Sequence, residues 1–309
     1  MNHSLDRLKL PVPLRVSVAD DAMALLEFAL ICHAETQVAI ATLVEIRGGA
    51  ARALGSQVVV AADGRYAGYV SGGCVEAAVA FEALLAIEAG QDRVVKFGDG
   101  SPFFDIVLPC GGGITVAIHI LREPEEIVQV LTRIQQRKVS ALKLSVENQA
   151  LAAAPPAAVT GWIEDWFHIL YRPVTRIIVS SQSVEAQSVA KLARYCGYEV
   201  AFLSGNHRTV HLNEHIDPFT AVLSLHHDLD QEQPVLRAAL RAKPFYIGAL
   251  GSSRTHQRRL EALRKAGFRD DELARIKAPI GLFGPARDST SLALSVLAEV
   301  AATRLEVYR

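Results

Sequence analysis

The second half of this 309-residue chain alternates strand and helix patterns, and this alternation constrains the fold more than any other feature. Apolar strand patterns lie at 177–179, 199–203, 220–225 and 245–250, and helical spacing is found at 184–195 and 234–241. Strands that alternate with crossover helices build a parallel sheet. The sequence therefore predicts a Rossmann-like parallel-sheet domain over residues 174–309.

In the first half, strand patterns also follow one another directly. The pair Asp63-Gly64 joins strand patterns at 58–60 and 66–70 into a predicted hairpin. A further apolar run precedes it at 38–46, and helical spacing is found at 20–34, 75–87 and 123–137. We therefore expect an α+β domain here, which makes the whole chain an α/β protein.

The length also favours two domains, because 309 residues exceed what one hydrophobic core usually serves. Between the halves, the Ala- and Pro-rich stretch 151–158 has no clear periodicity. We predict a linker over residues 151–173, which leaves residues 1–150 for the N-terminal domain.

Charge and composition narrow the class of partner. The chain has 32 basic and 33 acidic residues and no long block of like charge, so we expect neither nucleic acid nor membrane as a partner. No apolar run is long enough to span a bilayer, and four cysteines without regular spacing predict free thiols. We expect a cytoplasmic protein.

Two glycine-rich loops in the first half each carry a cysteine. Ser71-Gly72-Gly73-Cys74, here named the thiol loop, stands just before a helix pattern together with Glu76. Backbone amides at a helix start can bind an anion, and the positive helix end favours a thiolate. The alternative is a tight turn in which Cys74 is a small buried hydrophobic residue.

The second loop is Pro109-Cys110-Gly111-Gly112-Gly113, here named the triglycine loop. Three glycines let the backbone approach a ligand closely, although they can also form a simple turn. Because packing alone rarely repays the entropy of so many glycines, we predict that the two loops line one pocket.

Arginines lie near glycines in both halves of the chain, where they could bind a phosphate. Arg47 and Arg52 flank two glycines, where a guanidinium can bind a phosphate with two hydrogen bonds; solvated surface arginines are the alternative. In the second half, Gly251 and Arg254 follow a strand, at the edge where α/β sheets bind ligands. Arg258 and Arg259 are predicted on the solvent face of the next helix.

His226-His227-Asp228 also follows a strand pattern. Adjacent histidines in a strand or turn often point apart, so we predict no metal site there.

Taken together, these motifs resemble the XdhC/CoxI family of molybdenum hydroxylase maturation factors. In the first half they are Arg47-Gly48, Ala61-Ala62-Asp63-Gly64, the thiol loop with Val75-Glu76, and Cys110-Gly111-Gly112. In the second half they are His227-Asp228, the stretch 246–254, Pro279-Ile280-Gly281-Leu282 and Ser295-Val296-Leu297-Ala298-Glu299. The similarity covers most of the chain and is weakest at 122–172.

The resemblance implies an accessory protein rather than a turnover enzyme. Such a protein binds the molybdenum cofactor (molybdopterin), supports its sulfuration with a cysteine desulfurase, and inserts it into an apo-molybdenum hydroxylase such as xanthine dehydrogenase. We therefore predict that the following residues bind the cofactor: Arg47, Ser71, Gly72, Gly73, Cys74, Glu76, Cys110, Gly111, Gly112, Gly251 and Arg254.

The second half departs from the resemblance where a dinucleotide would bind. Ser181-Gln182-Ser183 stands in place of a glycine fingerprint, and Ser204 in place of an acidic residue at the second strand end. Side chains there obstruct a pyrophosphate, which argues against NAD(P). Phe283-Gly284-Pro285 is a second departure, which removes a polar residue from its loop.

Two alternative functions come from other classes. One is an NAD(P)-dependent oxidoreductase, suggested by the Rossmann-like half. The other is an interaction protein that docks a client hydroxylase and binds no ligand. The sequence leaves open which hydroxylase is the client, whether Cys74 or Cys110 handles the cofactor, and whether the chain forms a homodimer.

Overall fold

The computed structural model describes residues 10–18, 21–101, 111–203 and 215–308. The chain divides into two compact units, Met1–Arg172 and Pro173–Arg309.

The first unit contains a six-stranded sheet in the order β1-β4-β3-β2-β6-β5. Its strands are β1 (Leu14–Ser17), β2 (Val38–Arg47), β3 (Gln57–Ala61), β4 (Arg65–Gly68), β5 (Arg93–Gly98) and β6 (Gly113–Ile120). Neighbouring strands are antiparallel, except that β1 runs parallel to β4. The predicted hairpin is therefore confirmed as β3 and β4, with Gly64 at φ 94° in its turn.

Two helices cover opposite faces of this sheet. Along β2, alternate side chains point to opposite faces, as strand geometry requires. Val38 and Ile40 pack with α1 (Ala22–His33), whereas Ala39 and Ala41 pack with α2 (Glu76–Ala89). Both helices lie where the sequence predicts them. The N-terminal end of α2 thus stands directly after the thiol loop.

The predicted linker at 151–173 is wrong. The strands β7 (Ser140–Ser145), β8 (Ala150–Ala154), β9 (Gly161–Ile163) and β10 (Trp166–Tyr171) form a second sheet, in the order β8-β7-β10-β9. Phe167 and Ile169 pack into one core with α1 and α3 (Pro124–Gln135), and the Tyr171 hydroxyl donates to Gln57 Oε1 at 3.0 Å. The Ala-rich β8 has low strand propensity, which hid this sheet.

The second unit contains a parallel sheet in the order β12-β11-β13-β14-β15. Its strands are β11 (Arg176–Ser180), β12 (Glu199–Leu203), β13 (Thr220–Ser224), β14 (Tyr246–Ala249) and β15 (Ile276–Lys277). The helices described in this unit are α4 (Val184–Tyr195), α5 (Leu229–Ala242), α6 (Ser253–Lys265), α7 (Asp270–Leu273) and α8 (Ser289–Val307). The Rossmann-like prediction is confirmed.

The helices lie on both faces of this parallel sheet. Side chains of α4 and α8 pack against one face, and those of α5 and α6 against the other. Helix α5 begins at Leu229 rather than at the predicted Pro234, because Asp228 caps it by accepting from the Asp230 amide at 2.9 Å. Within the described ranges, no helix combines the length and apolarity that a membrane crossing requires.

Candidate functional site

The thiol loop connects the end of the β3–β4 hairpin to α2. Ser71 is buried, whereas Gly72, Gly73 and Cys74 are exposed. Gly73 has φ 111°, and a Cβ built on it would meet nothing within 4 Å. The loop therefore presents a thiol and accessible backbone at the surface, and the alternative of a buried Cys74 is wrong.

Glu76 lies beneath this loop. Its carboxylate is fully buried and accepts hydrogen bonds from the Ser71 amide at 2.8 Å and the Val70 amide at 3.1 Å. The Ser71 hydroxyl donates to the same carboxylate at 2.9 Å. Glu76 thus contacts the loop from inside the protein.

Arg47 binds protein groups at the carboxyl end of β2. Its guanidinium donates to Glu45 and to the Thr115 hydroxyl at 2.7 Å each, and to the Asp99 carbonyl at 2.9 and 3.1 Å. It also donates to the Ile114 carbonyl at 3.2 Å. Thr115 and this arginine hold the pKa of Glu45 below its usual value, the Thr115 hydrogen bond being the larger cause. Arg47 joins strands in this arrangement.

Gly112, in the described part of the triglycine loop, packs against the segment that begins at Arg47. A Cβ on Gly112 would lie 2.5 Å from the Arg47 carbonyl oxygen and 2.6 Å from that of Gly49. Only glycine fits, because both obstacles are backbone atoms. Gly111, by contrast, has φ 67° and open space around it.

Described parts of the two cysteine-bearing loops therefore border one segment, residues 47–52. Gly112 contacts the start of this segment, at Arg47 and Gly49. A Cβ on Gly72 would lie 3.7 Å from Ala51 Cβ, near the end of the segment. Cys110, the second predicted thiol, lies outside the described residues. The prediction that both thiols share a pocket therefore stays a prediction.

Two further arginines stand near the thiol loop. Arg52 donates from Nε to the Ser71 carbonyl at 3.3 Å, and its guanidinium carbon lies 5.1 Å from the centre of the Tyr69 ring. Arg15 lies 4.4 Å from the same ring and 4.0 Å from the Glu76 carboxylate. Sequence reasoning missed Arg15 because β1 is only four residues long. Cationic charge is thus concentrated beside the loop.

The second unit has a cleft of about 950 Å³ at the carboxyl ends of its strands. It lies where α4 follows β11 and where the chain leaves β13 and β14, which is the ligand-binding edge of such sheets. Its lining residues are Val184, Glu185, His227, 250–252, 279–289 and Leu292. Gly251 therefore lines the cleft, whereas Arg254 is exposed in the first turn of α6 and does not line it.

One wall of the cleft is formed by residues 279–285, here named the wall loop. Glu299 of α8 accepts from the Gly281 amide at 2.7 Å and from the buried Tyr246 hydroxyl at 2.6 Å. Ser295 accepts from the Phe283 amide at 2.9 Å. Burial, followed by the carboxylate, raises the pKa of Tyr246. The motif at 279–282 thus forms part of the cleft wall, and the motif at 295–299 holds this wall by hydrogen bonds.

Arg259 corrects a prediction. It was expected on the solvent face of α6, but it is fully buried and pairs with Glu232 at 2.6 Å. It also donates to the Leu250 carbonyl at 2.6 Å, at the end of the strand that borders the cleft. Its neighbour Arg258 is exposed as predicted. An exposed and a buried arginine adjacent on one helix cannot be told apart by charge alone.

The histidine pair is divided between two environments. His226 Nε2 lies 2.7 Å from the Ser180 hydroxyl, and burial lowers the pKa of His226, whereas His227 lines the cleft. Across the part of the chain that the structure describes, no group of three His, Cys, Asp or Glu side chains is arranged to hold a metal.

Serines occupy the position where a glycine fingerprint would be. Ser181 is buried, has φ 154°, and its hydroxyl accepts from the Ser183 amide at 3.1 Å. Ser183 in turn caps α4 by accepting from the Ala186 amide at 3.2 Å. Ser204 lies outside the described residues. At the start of α4, the chain's own hydroxyls therefore accept hydrogen bonds from two of its amides.

Comparisons with known proteins match both halves. A family model described as "XdhC and CoxI family" matches residues 31–98, and one described as "XdhC Rossmann domain" matches residues 177–300. The chain is 49% identical over 294 residues to "Molybdenum cofactor insertion chaperone PaoD" of Escherichia coli (strain K12). That alignment covers 95% of this chain and 92% of the relative.

Two further proteins are more distant. "Uncharacterized protein YqeB" of Escherichia coli (strain K12) is 27% identical over 263 residues, which cover 85% of this chain but 42% of YqeB. A crystal structure described as a xanthine dehydrogenase from Bacillus halodurans superposes with a TM-score of 0.72 at 19% identity. It covers 93% of this chain and 96% of that one, which shows a shared fold.

Proposed function

Because this chain belongs to the XdhC and CoxI family, we propose that it is a molybdenum cofactor insertion chaperone, which binds the cofactor and delivers it to a molybdenum enzyme. The observation that carries this proposal is the 49% identity to a chaperone of that name over nearly the full length of both chains. Similarity of that extent includes both units, and therefore both candidate sites.

The chemistry of the thiol loop suits such a cargo. Cys74 offers a soft sulfur ligand, which suits a transition metal. Arg52 donates to the Ser71 carbonyl at 3.3 Å, beside the exposed Gly72 and Gly73 backbone, and its charge suits the phosphate of a pterin cofactor. Metal-binding and phosphate-binding groups thus stand on one surface. In this proposal Arg52, rather than Arg47, supplies the positive charge.

The finer steps are part of the same proposal. We assign to the cleft of the second unit, with Gly251, a contact to the cofactor or to the client. The client is an apo-molybdenum hydroxylase such as xanthine dehydrogenase, and a cysteine desulfurase supplies the sulfur for sulfuration. This proposal includes no NAD(P), because the side chains of Ser181 and Ser183 stand where a glycine fingerprint would let a pyrophosphate approach the backbone.

Cofactor retention tests the proposal. We expect the protein purified without oxygen from cells that make molybdopterin to retain it, and Cys74→Ser to retain at least about tenfold less, because even the loss of a residue that orients a metal ligand lowers metal affinity about 10–100-fold. The measurement is molybdopterin content per chain, by fluorescence of its oxidised form. Cys196→Ser is the matched control, because Cys196 is an exposed thiol of the second unit. Equal content in wild type and Cys74→Ser would remove Cys74 from the site.

A further inference from the structure

The buried carboxylate of Glu76 lies in the first turn of α2, but it does not serve to cap that helix. A carboxylate loses hydration when it is buried, so it needs hydrogen-bond donors or a counter-ion to remain there. An acidic residue in the first turn of a helix commonly serves the free amides of that turn. Glu76 instead points back, and Val75 provides no side-chain cap.

All the hydrogen bonds that Glu76 makes in the described structure go to the chain just before the helix. The Val70 and Ser71 amides and the Ser71 hydroxyl donate to it, at 3.1, 2.8 and 2.9 Å. The Ser71 hydroxyl oxygen then accepts from the Gly73 amide at 3.3 Å and lies 3.7 Å from Cys74 Sγ. A continuous series of contacts therefore runs from a buried charge to an exposed thiol.

A second element braces the same carboxylate. Arg15, on the edge strand β1, lies 4.0 Å from Glu76 and stacks on Tyr69, the residue that precedes Val70. Opposite charge from Arg15 partly offsets the desolvation of Glu76. The network thus joins β1 to the start of α2.

We infer that Glu76 is a positioning residue, which holds the thiol loop in one conformation so that Cys74 and the Gly72–Gly73 backbone receive the cofactor. This role rests on the proposed function. A loop already fixed in its binding conformation does not lose that conformational freedom when the ligand binds. Glu76 contributes to affinity through the loop, without touching the ligand.

Three variants of the full chain separate this role from plain stability. Glu76→Gln keeps the shape but removes the charge, and Ser71→Ala removes only the hydroxyl that links Glu76 to Gly73. Asp92→Asn is the matched control. Asp92 is a fully buried carboxylate of the same unit that accepts from the Ile120 amide at 3.1 Å and pairs with Arg122 at 2.8 Å, away from the loop.

The first measurement is amide hydrogen exchange of residues 70–74 in the protein without cofactor. We expect Glu76→Gln to speed this exchange about tenfold, the effect of losing one hydrogen bond to a charged acceptor, and Ser71→Ala to speed it less. Asp92→Asn should leave it unchanged under conditions where all variants are folded. If residues 70–74 exchanged at the wild-type rate in both Glu76→Gln and Ser71→Ala, the inference would be wrong, whatever the stability of these variants.

The second measurement is molybdopterin retention, which we expect to fall in Glu76→Gln and to remain in Asp92→Asn. Faster loop exchange with full retention would also overturn the inference, because the fixed loop would then not matter for binding. If the wild type retained no molybdopterin, the proposed function would fail. The exchange data would still decide whether Glu76 holds the loop.

Discussion

At the scale of single residues, hydrogen-bond partners decide what each arginine does. Arg47 and Arg259 are both committed to protein groups, the first across strand ends and the second to a buried glutamate. Arg15 and Arg52 lie near the thiol loop, where Arg15 pairs with the buried Glu76 and Arg52 donates to the Ser71 carbonyl. An arginine near glycines in sequence is therefore not enough to identify a phosphate site.

Arg47→Gln should lower the free energy of unfolding by about 1.5–3 kcal/mol, because hydrogen bonds to Glu45 and to two strand ends are lost. Urea unfolding measures the change. Arg254→Gln is the control, because this exposed arginine should change stability by less than about 0.5 kcal/mol. A stable Arg47→Gln variant that binds no cofactor would instead make Arg47 a ligand-binding residue.

Arg258 and Arg259 offer a comparison on one helix. Arg259→Ala leaves the buried Glu232 without its partner and should cost about 3–5 kcal/mol. Arg258→Ala removes an exposed side chain and should cost less than about 0.5 kcal/mol. Guanidinium chloride unfolding of both variants compares the two costs. Equal stability would show that the Glu232–Arg259 pair does not stabilise the fold.

At the scale of elements, regular periodicity was the reliable signal. Helix α4 spans Val184–Tyr195 as predicted, because its apolar spacing and the Ser183 cap agree. Strands β1 and β8 were missed, the first because it is short and the second because alanine carries little strand preference. Strand β10 is an aromatic and aliphatic run, Trp166–Tyr171, and this composition was a strand signal in the sequence that was not used.

The run of glycines in the sequence does not show which glycine the fold requires. Gly112→Ala should destabilise the first unit by more than about 2 kcal/mol, because its Cβ would meet two backbone oxygens that cannot move aside. Gly111→Ala has open space and should cost only about 1–2 kcal/mol for its left-handed backbone. Urea unfolding compares them, and a reversed order would contradict the close approach to residues 47–49.

At the scale of the whole molecule, the motifs were predictable and their contacts were not. The sequence places Gly281 and Glu299 far apart, and only the fold shows that one holds the other at the cleft wall. Likewise, the position of Arg15 beside Glu76 depends on a parallel strand pair at the sheet edge. Pairings that depend on long-range topology leave no local periodicity to detect.

Transfer of cofactor tests the central claim most directly. The cofactor-loaded protein is mixed with a cofactor-free molybdenum hydroxylase, and recovered hydroxylase activity is compared with that obtained from the same amount of free cofactor. The account predicts faster and more complete activation by the loaded protein, and little by the Cys74→Ser protein carried through the same loading. Equal activation by free cofactor and by the loaded protein would contradict an insertion chaperone.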